Sequence, residues 1–317
     1  MKLNPSPQLE RSIEQFNAFI LTHWKQQTPF TSAKPEVIWQ QALNDQGWNI
    51  PDWPVPLGGT DWSAIERYHW YQATCRAGCP QGDILAKELI GPLLFNFGEP
   101  HQMFYLDGIR AASDLWGLAR LQTDHQLMPI HMPANATKIL VILERGHNQS
   151  SLMIAPQPEK IPATATATQI SKDCELLGKI NRAHTMMTAI QLRYQPIAAI
   201  CRTAGVIAQL EPLLDRRDTT AQEQQSFSEI LIAQQSIEIY CQRILADSKL
   251  NRMPLITRSA RNIMNKIKEL NQSLSGYYSL TEAQEPGDNS QAPAIDTATT
   301  DLFEYCEPLD LLDSFTE

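Results

Sequence analysis

Long apolar runs are missing from this sequence of 317 residues. Residues 89–97 are interrupted by Gly91 and Pro92, and the apolar residues 139–143 are only long enough for a strand, whereas a membrane helix needs about 20 apolar residues in a row. Residues 1–10 are polar and contain no apolar segment of the kind found in secretory signals. We therefore expect a protein without a membrane span that is located in the cytoplasm.

Basic residues are absent from the last part of the chain. Residues 281–317 hold ten acidic residues and no lysine or arginine, whereas residues 1–280 hold 26 basic and 25 acidic residues. An almost neutral body without a basic stripe has little charge with which to displace counterions from a phosphate backbone. Nucleic acid is therefore not an expected partner.

Metal-ligand and phosphate-binding motifs are also missing. The cysteines stand at positions 75, 79, 174, 201, 241 and 306, and only the first two are close enough to share one helix face. No second Cys/His pair completes a tetrahedral site, so we expect free buried thiols and assign no metal site. Gly58 and Gly59 lack the flanking glycines of a nucleotide-binding loop.

The hydrophobic periodicity changes twice along the chain. Apolar positions recur at helical steps in the first third and again after residue 196, and short alternating or apolar runs between them favour strands. The predicted strands are residues 115–121, 138–143 and 151–155. This order predicts an α+β fold with an N-terminal helical domain (1–112), a small, reduced β middle domain (113–190), a C-terminal helical bundle (191–280) and an acidic tail (281–317).

The acidic tail has two parts of different composition. Residues 281–300 are rich in Gly, Pro, Asp, Ser and Thr, which predicts a disordered linker. Residues 301–317 alternate acidic with apolar residues, so they could form a short amphipathic helix that docks on a partner. The alternative for this last segment is a solubilising tail, and the sequence leaves both open.

Three motifs in residues 53–98 carry a resemblance to a known family. They read WPVPLGG at residues 53–59, RAGCP at residues 76–80 and GPLLFNFG at residues 91–98. In this order they resemble the entry loop, a helix end and the helix before the β domain of the acyl-CoA dehydrogenase family. Residues 198–217 resemble the first long helix of that family's C-terminal bundle.

The resemblance implies oxidation of an acyl-CoA thioester. In that family a glutamate base removes the α-proton while the β-hydrogen leaves as a hydride to N5 of FAD. The fold implied is the one predicted above, with a β domain between two helical domains. The cofactor implied is FAD, and the substrate implied is an acyl-CoA.

The sequence departs from the family pattern at three places. The flavin-binding strand of the family continues from a tryptophan into Ser/Thr-Glu-Pro, whereas residues 115–124 read LWGLARLQTD and keep only Trp116. The Arg-x-x-Phe-Gly motif expected after Arg217 is absent, and residues 191–196 offer no acid. Trp116 is therefore the one candidate cofactor-binding residue, and the catalytic residues stay unknown.

These losses resemble the deficient subunit of heteromeric bacterial acyl-CoA dehydrogenases. The implied function is to work with a flavin-bearing paralogue that holds most of the FAD contacts, on an acyl-CoA whose acyl group could be bulky or steroid-like. Whether the chain is itself an enzyme stays open. The alternatives are a non-catalytic scaffold that reuses the fold and an active FAD-containing homo-oligomer with an atypical site.

Overall fold

The structure is a computed structural model, and it describes most of the chain in separate stretches. These are residues 6–25, 35–122, 127–133, 135–144, 150–155, 174–178, 183, 185–187, 190, 196–216, 219–247 and 253–275. The predictions made for residues 281–317, Arg217 and residues 191–195 lie outside them.

The order of helices, strands and helices predicted from the sequence is confirmed. The helices are α1 (Pro7–Ile20), α2 (Pro35–Gln46), α3 (Ala64–Arg76), α4 (Gly91–Phe97), α5 (Tyr105–Arg110), α6 (Pro196–Arg216), α7 (Ala221–Asp247) and α8 (Met253–Ser275). The strands are β1 (Trp116–Gln122), β2 (Met128–His131), β3 (Lys138–Glu144), β4 (Ser150–Ala155) and β5 (Glu175–Leu176). The α+β fold class is therefore correct.

Local signals in the sequence fix the start of α3. The Ser63 hydroxyl accepts from the backbone N–H of Glu66, and the Ser63 N–H donates to Glu66 Oε2 at 2.8 Å, so the two residues form a capping box. The Ser12 hydroxyl of α1 donates to the other oxygen of the same carboxylate at 2.8 Å. These hydrogen bonds lower the pKa of Glu66, although burial opposes the shift.

Two π-helical turns were not predicted. One (Leu21–Lys25) continues α1, and the other (Ala86–Ile90) leads directly into α4. A π-turn inserts a residue without interrupting the helical run of apolar residues, so the periodicity reads as one continuous helix. Such turns are frequent at functional sites.

The first compact unit consists of Met1–Trp39, Trp62–Pro80 and Gln195–Thr300. Helices α3 and α6 pack so closely in this unit that a Cβ built at Gly205 would lie 2.7 Å from the carbonyl oxygen of Cys75. The hydroxyl of the fully buried Thr203 donates a hydrogen bond to Gln234 Oε1 at 2.7 Å, which joins α6 to α7. An aromatic cluster fills the space between α1, α2 and α3: Phe16, Phe19, Trp39, Trp62 and Trp70.

The second compact unit consists of Gln40–Asp61, Gln81–Tyr194 and Asp301–Glu317. Its five-stranded sheet has the order β2-β1-β3-β4-β5, with β1 parallel to β3 and the other pairs antiparallel. Leu118 and Leu140 are register partners and lie on the sheet face that packs against α4 and the second π-turn (Ala86–Ile90), which is called the π-turn from here on. Leu121 and Val141 belong to a separate cluster on the other face.

Several sequence expectations can be compared with the described residues. Four of the seven tryptophans are buried and the other three are partly buried. The five described cysteines are free, and four of them are buried.

No described helix is long and apolar enough to cross a membrane, and no group of described His, Cys, Asp or Glu side chains could hold a metal ion. The bounds of the four predicted domains stay a prediction.

Candidate functional site

Trp116, the one candidate from the sequence, opens strand β1 in the core of the second unit. Its side chain is 0% exposed, and its ring meets the Tyr105 ring edge-on with centroids 5.8 Å apart. Its backbone N–H donates to Asp83 Oδ2 at 2.7 Å. The indole Nε1 is buried and has no hydrogen-bond partner among the described residues. The structure thus places Trp116 beside an acidic side chain that the sequence analysis did not single out.

Asp83 connects the π-turn to strand β1. Its Oδ1 accepts from the backbone N–H of Ala86 at 2.9 Å, which caps the turn, and its Oδ2 accepts from Trp116. Burial raises the pKa of the Asp83 carboxyl, while these two hydrogen bonds and the charges of Lys87 and His131 oppose the rise. One carboxylate thus holds two elements of the site in register.

Lys87 lies one helical turn after Asp83, inside the π-turn. Its Nζ donates to the carbonyl oxygen of Gln81 at 3.0 Å. Burial lowers the pKa of the Lys87 amine to about 8, against the opposing effect of the Asp83 and Glu88 carboxylates. Glu88 itself is only 7% exposed. We call Asp83, Lys87, Glu88 and His131 the charge cluster.

The family-like motifs come together around Trp53. Its indole Nε1 donates to the backbone oxygen of Lys87 at 2.8 Å. A Cβ at Gly91 would lie 2.0 Å from Cζ2 of the Trp53 ring, and a Cβ at Gly59 would lie 1.8 Å from its backbone oxygen. Both glycines are therefore required by close packing on one tryptophan. Trp53 thus contacts the π-turn at Lys87 and the start of α4 at Gly91.

Removing the Asp83 side chain is expected to destabilise the fold moderately. Asp83→Ala leaves two backbone N–H groups without their acceptor, but it also removes a carboxylate whose burial is unfavourable. We expect the free energy of unfolding to fall by about 1–2 kcal/mol. Urea denaturation followed by circular dichroism measures this change, with Asp107→Ala on the exposed surface as the control. A loss no larger than that of the control would contradict the role of Asp83.

Removing only the indole nitrogen of Trp116 is expected to have a small effect. Trp116→Phe removes a buried donor that lacks a partner, which offsets part of the packing lost with the smaller ring. The net change in the free energy of unfolding should stay within about 1 kcal/mol. Trp39→Phe is the matched control, because Trp39 Nε1 donates to the Pro80 oxygen at 3.0 Å. If both substitutions cost the same, the Trp116 indole has a partner.

No family model matches the sequence of this chain. The curated acyl-CoA dehydrogenase IpdE1 of Mycobacterium tuberculosis is 35% identical over 80 residues, which are 25% of this chain and 21% of IpdE1. The match therefore spans about a fifth of that relative's length. It confirms that the chain resembles acyl-CoA dehydrogenases in sequence.

Solved structures match over nearly the whole chain. A structure titled "Tcur3481-Tcur3483 steroid ACAD" superposes with a TM-score of 0.63 at 13% identity, covering 100% of this chain and 94% of that one. A glutaryl-coenzyme A dehydrogenase bound to glutaryl-CoA gives 0.55 at 11% identity, covering 96% and 92%. This chain has the acyl-CoA dehydrogenase fold. A crystal structure of the ChsE4-ChsE5 complex from Mycobacterium tuberculosis gives 0.57 at 13% identity, covering 100% and 94%.

The acyl-CoA dehydrogenase fold implies FAD, so the donors offered by strand β1 matter. An isoalloxazine ring has several hydrogen-bonding atoms along one edge and needs matching groups on the protein. Leu118, Ala119 and Leu121 are fully buried apolar residues, and Arg120 pairs with Glu144 at 3.3 Å. Trp116 Nε1, a donor on this strand without a hydrogen-bond partner among the described residues, is enclosed. The described part of β1 does not fit a flavin ring, and we derive no chemical step through FAD.

Proposed function

We propose that the chain is an acyl-CoA dehydrogenase-like subunit that works in a hetero-oligomer with a flavin-bearing paralogue. The assembly would α,β-desaturate an acyl-CoA, with a bulky, steroid-like acyl group as the first candidate. The observation that carries this proposal is strand β1, which keeps Trp116 but directs Leu118 and Leu121 into the two cores of its unit. A chain with this fold and this strand needs another subunit to bind most of the flavin.

The similar structures support the assembly and the substrate class. One is titled a steroid ACAD with two named components, and another is titled a complex of ChsE4 and ChsE5. Both share the fold with this chain over its full length. In the proposal the paralogue supplies the catalytic base and the FAD contacts, and this chain completes the assembly. Its location would be the cytoplasm.

Purification alone and together with a paralogue tests the proposal. The chain should lack the flavin band near 450 nm when purified alone, and it should form a yellow hetero-oligomer when co-expressed with a flavin-bearing paralogue from its genomic neighbourhood. Dehydrogenase activity on a steroid-like acyl-CoA should require both chains. Stoichiometric flavin and turnover in the lone chain would support the homo-oligomer instead. A lone chain that never assembles and carries no flavin would support the scaffold.

The predicted contact of Trp116 with the cofactor can be tested in the same assembly. If Trp116 touches the flavin, Trp116→Phe should shift the flavin absorption band of the hetero-oligomer. Trp70→Phe is the matched control, since Trp70 belongs to the aromatic cluster of the first unit. An unchanged spectrum in both variants would remove Trp116 from the cofactor site and leave the assembly proposal standing.

A further inference from the structure

Helix α7 exposes two isoleucines on one line of its outer face. Ile232 is 65% exposed and Ile239 is 52% exposed, and the two residues are separated by two helical turns. Gln235 and Ser236 between them are also exposed, and Ser228 continues the line toward the start of the helix. We call Ser228, Ile232, Gln235, Ser236 and Ile239 the outer stripe. Large apolar side chains exposed together on one face are typical of a surface that contacts another protein.

The outer stripe carries no charge. Residues 230–242 contain one charged residue, Glu238, and its side chain is only 15% exposed. Glu238 Oε1 accepts from Gln234 Nε2 at 2.8 Å and pairs with Arg76 of α3 at 3.5 Å, so it belongs to the inner side of the helix. A helix face turned to water ordinarily carries charged residues, whereas the centre of a protein interface is depleted of them. The outer stripe therefore has the composition of an interface.

The serine hydroxyls of the outer stripe are already satisfied within their own helix. Ser228 Oγ donates to the carbonyl oxygen of Gln224 at 2.8 Å, and Ser236 Oγ donates to that of Ile232 at 2.7 Å. Burying a polar group is costly when its donor loses water and gains no partner. A second helix can cover these two serines without that cost, and their small side chains allow it to approach closely.

The two ends of the outer stripe are flanked by opposite charges. Glu229 and Arg243 are both exposed, and each lies seven residues from Ser236. Two copies of α7 that run antiparallel about a two-fold axis near Ser236 place Ile232 of one copy against Ile239 of the other. The same axis places Glu229 of each copy opposite Arg243 of the other, whereas a parallel pair would bring like charges together. The antiparallel pair is therefore self-complementary in both apolar contact and charge.

We propose that the outer stripe is an interface between two copies of this chain, which pair α7 with α7 in antiparallel orientation. The inference goes beyond the proposed function, because the contact needs neither a flavin nor an acyl-CoA nor a paralogue. The stripe from Ser228 to Ile239 is about 17 Å long, so the contact lies at the low end of interface sizes. We therefore expect a dissociation constant on the order of 10 μM for the dimer.

Sedimentation velocity of the full-length chain, from about 1 to 200 μM, tests this interface. The mass should rise from that of one chain toward that of two. Replacing both isoleucines, Ile232→Glu with Ile239→Glu, should weaken the dimer at least tenfold, because unpaired charges would be buried in the contact. Leu255→Glu on α8 is the matched control, since Leu255 is 56% exposed outside the stripe, and it should leave the association unchanged. Circular dichroism confirms that the variants are folded. A chain that stays monomeric, or a double variant that dimerises like the original, would overturn the proposal.

Charge reversal tests the antiparallel orientation. Glu229→Arg alone and Arg243→Glu alone should each weaken the dimer about fivefold, because two like-charged pairs then face each other. An equimolar mixture of the two variants should dimerise near the original concentration, because every facing pair in the mixed dimer has opposite charges. Glu229 also pairs with Lys266 of its own chain at 3.6 Å, but that loss is the same in Glu229→Arg alone and in the mixture. A mixture that associates no better than the two single variants would contradict the antiparallel pairing.

The outcome is separable from that of the proposed function. Self-association is measured on the lone chain, and dehydrogenase activity is measured on the hetero-oligomer. A monomeric lone chain whose hetero-oligomer is lost in the double isoleucine variant would assign the outer stripe to the paralogue and overturn this inference alone. A colourless dimer that never binds a paralogue would overturn the proposed function alone.

Discussion

Replacing Gly91 with alanine is expected to lower the free energy of unfolding by about 3 kcal/mol, the upper end for an overpacked core. Helix propensity alone predicts the opposite sign, because alanine is favoured over glycine inside a helix by about 1 kcal/mol. The added methyl group would lie 2.0 Å from Cζ2 of Trp53. That ring is 3% exposed and is held by a 2.8 Å hydrogen bond from Nε1 to the Lys87 oxygen, so it cannot move aside without further loss.

A double-mutant cycle isolates the contact between Gly91 and Trp53. In a Trp53→Leu background the ring is gone, and Gly91→Ala should become neutral or stabilising by up to about 1 kcal/mol. Gly47→Ala is the matched glycine control, because its Cβ would meet nothing within 4 Å and only the left-handed φ of +69° opposes it. Urea denaturation of the four chains measures the coupling. An equal loss in both backgrounds would contradict the steric explanation.

This contact also explains what the motifs of the sequence encode. The residues that resemble the family in the WPVPLGG and GPLLFNFG segments include Trp53, Gly59 and Gly91, and the structure uses them for close packing. A resemblance carried by packing residues indicates the fold rather than the chemistry. A chain can therefore keep the fold of the family even though its strand β1 lacks the polar residues of the family's flavin-binding strand.

The long helices were predictable to within a residue or two, and the short strands were not. The extent of helix α7 (Ala221–Asp247) is visible in the sequence, because its buried positions recur at helical spacing over many turns. Strand β5 (Glu175–Leu176) has two residues, too few for any alternation to be visible. Strand β2 contains Pro129, which weakens a strand pattern.

The candidate site was only partly predictable. Trp116 was found because it occupies the position of a tryptophan in a family motif. The charge cluster was missed, because charged side chains in an amphipathic segment are ordinarily assigned to the solvent face. Glu88 is nevertheless buried, and Asp83 reaches the backbone of Trp116, which is 33 residues away in sequence. Such contacts depend on the register between the π-turn and the sheet, and periodicity carries no information on it.

The stability of the protein is expected to rise between about pH 8 and pH 10.5 through Lys87. The amine has a pKa of about 8 in the folded chain, against an ordinary value of 10.5. Between these values the unfolded chain binds the extra proton, so a higher pH favours folding. Below pH 8 the full cost of burying the charged amine is present, and it amounts to about 3 kcal/mol.

Lys87→Met should remove this dependence, because methionine fills a similar volume without a charge. The difference in the free energy of unfolding between the variant and the unaltered chain should favour the variant at pH 7 and shrink by about 2–3 kcal/mol by pH 10.5. Taking the difference cancels the tyrosines, cysteines and other lysines that titrate in the same range. Lys266→Met on the exposed face of α8 is the matched control and should leave the two curves parallel. Parallel curves for Lys87→Met as well would mean that the amine keeps its proton in the folded chain.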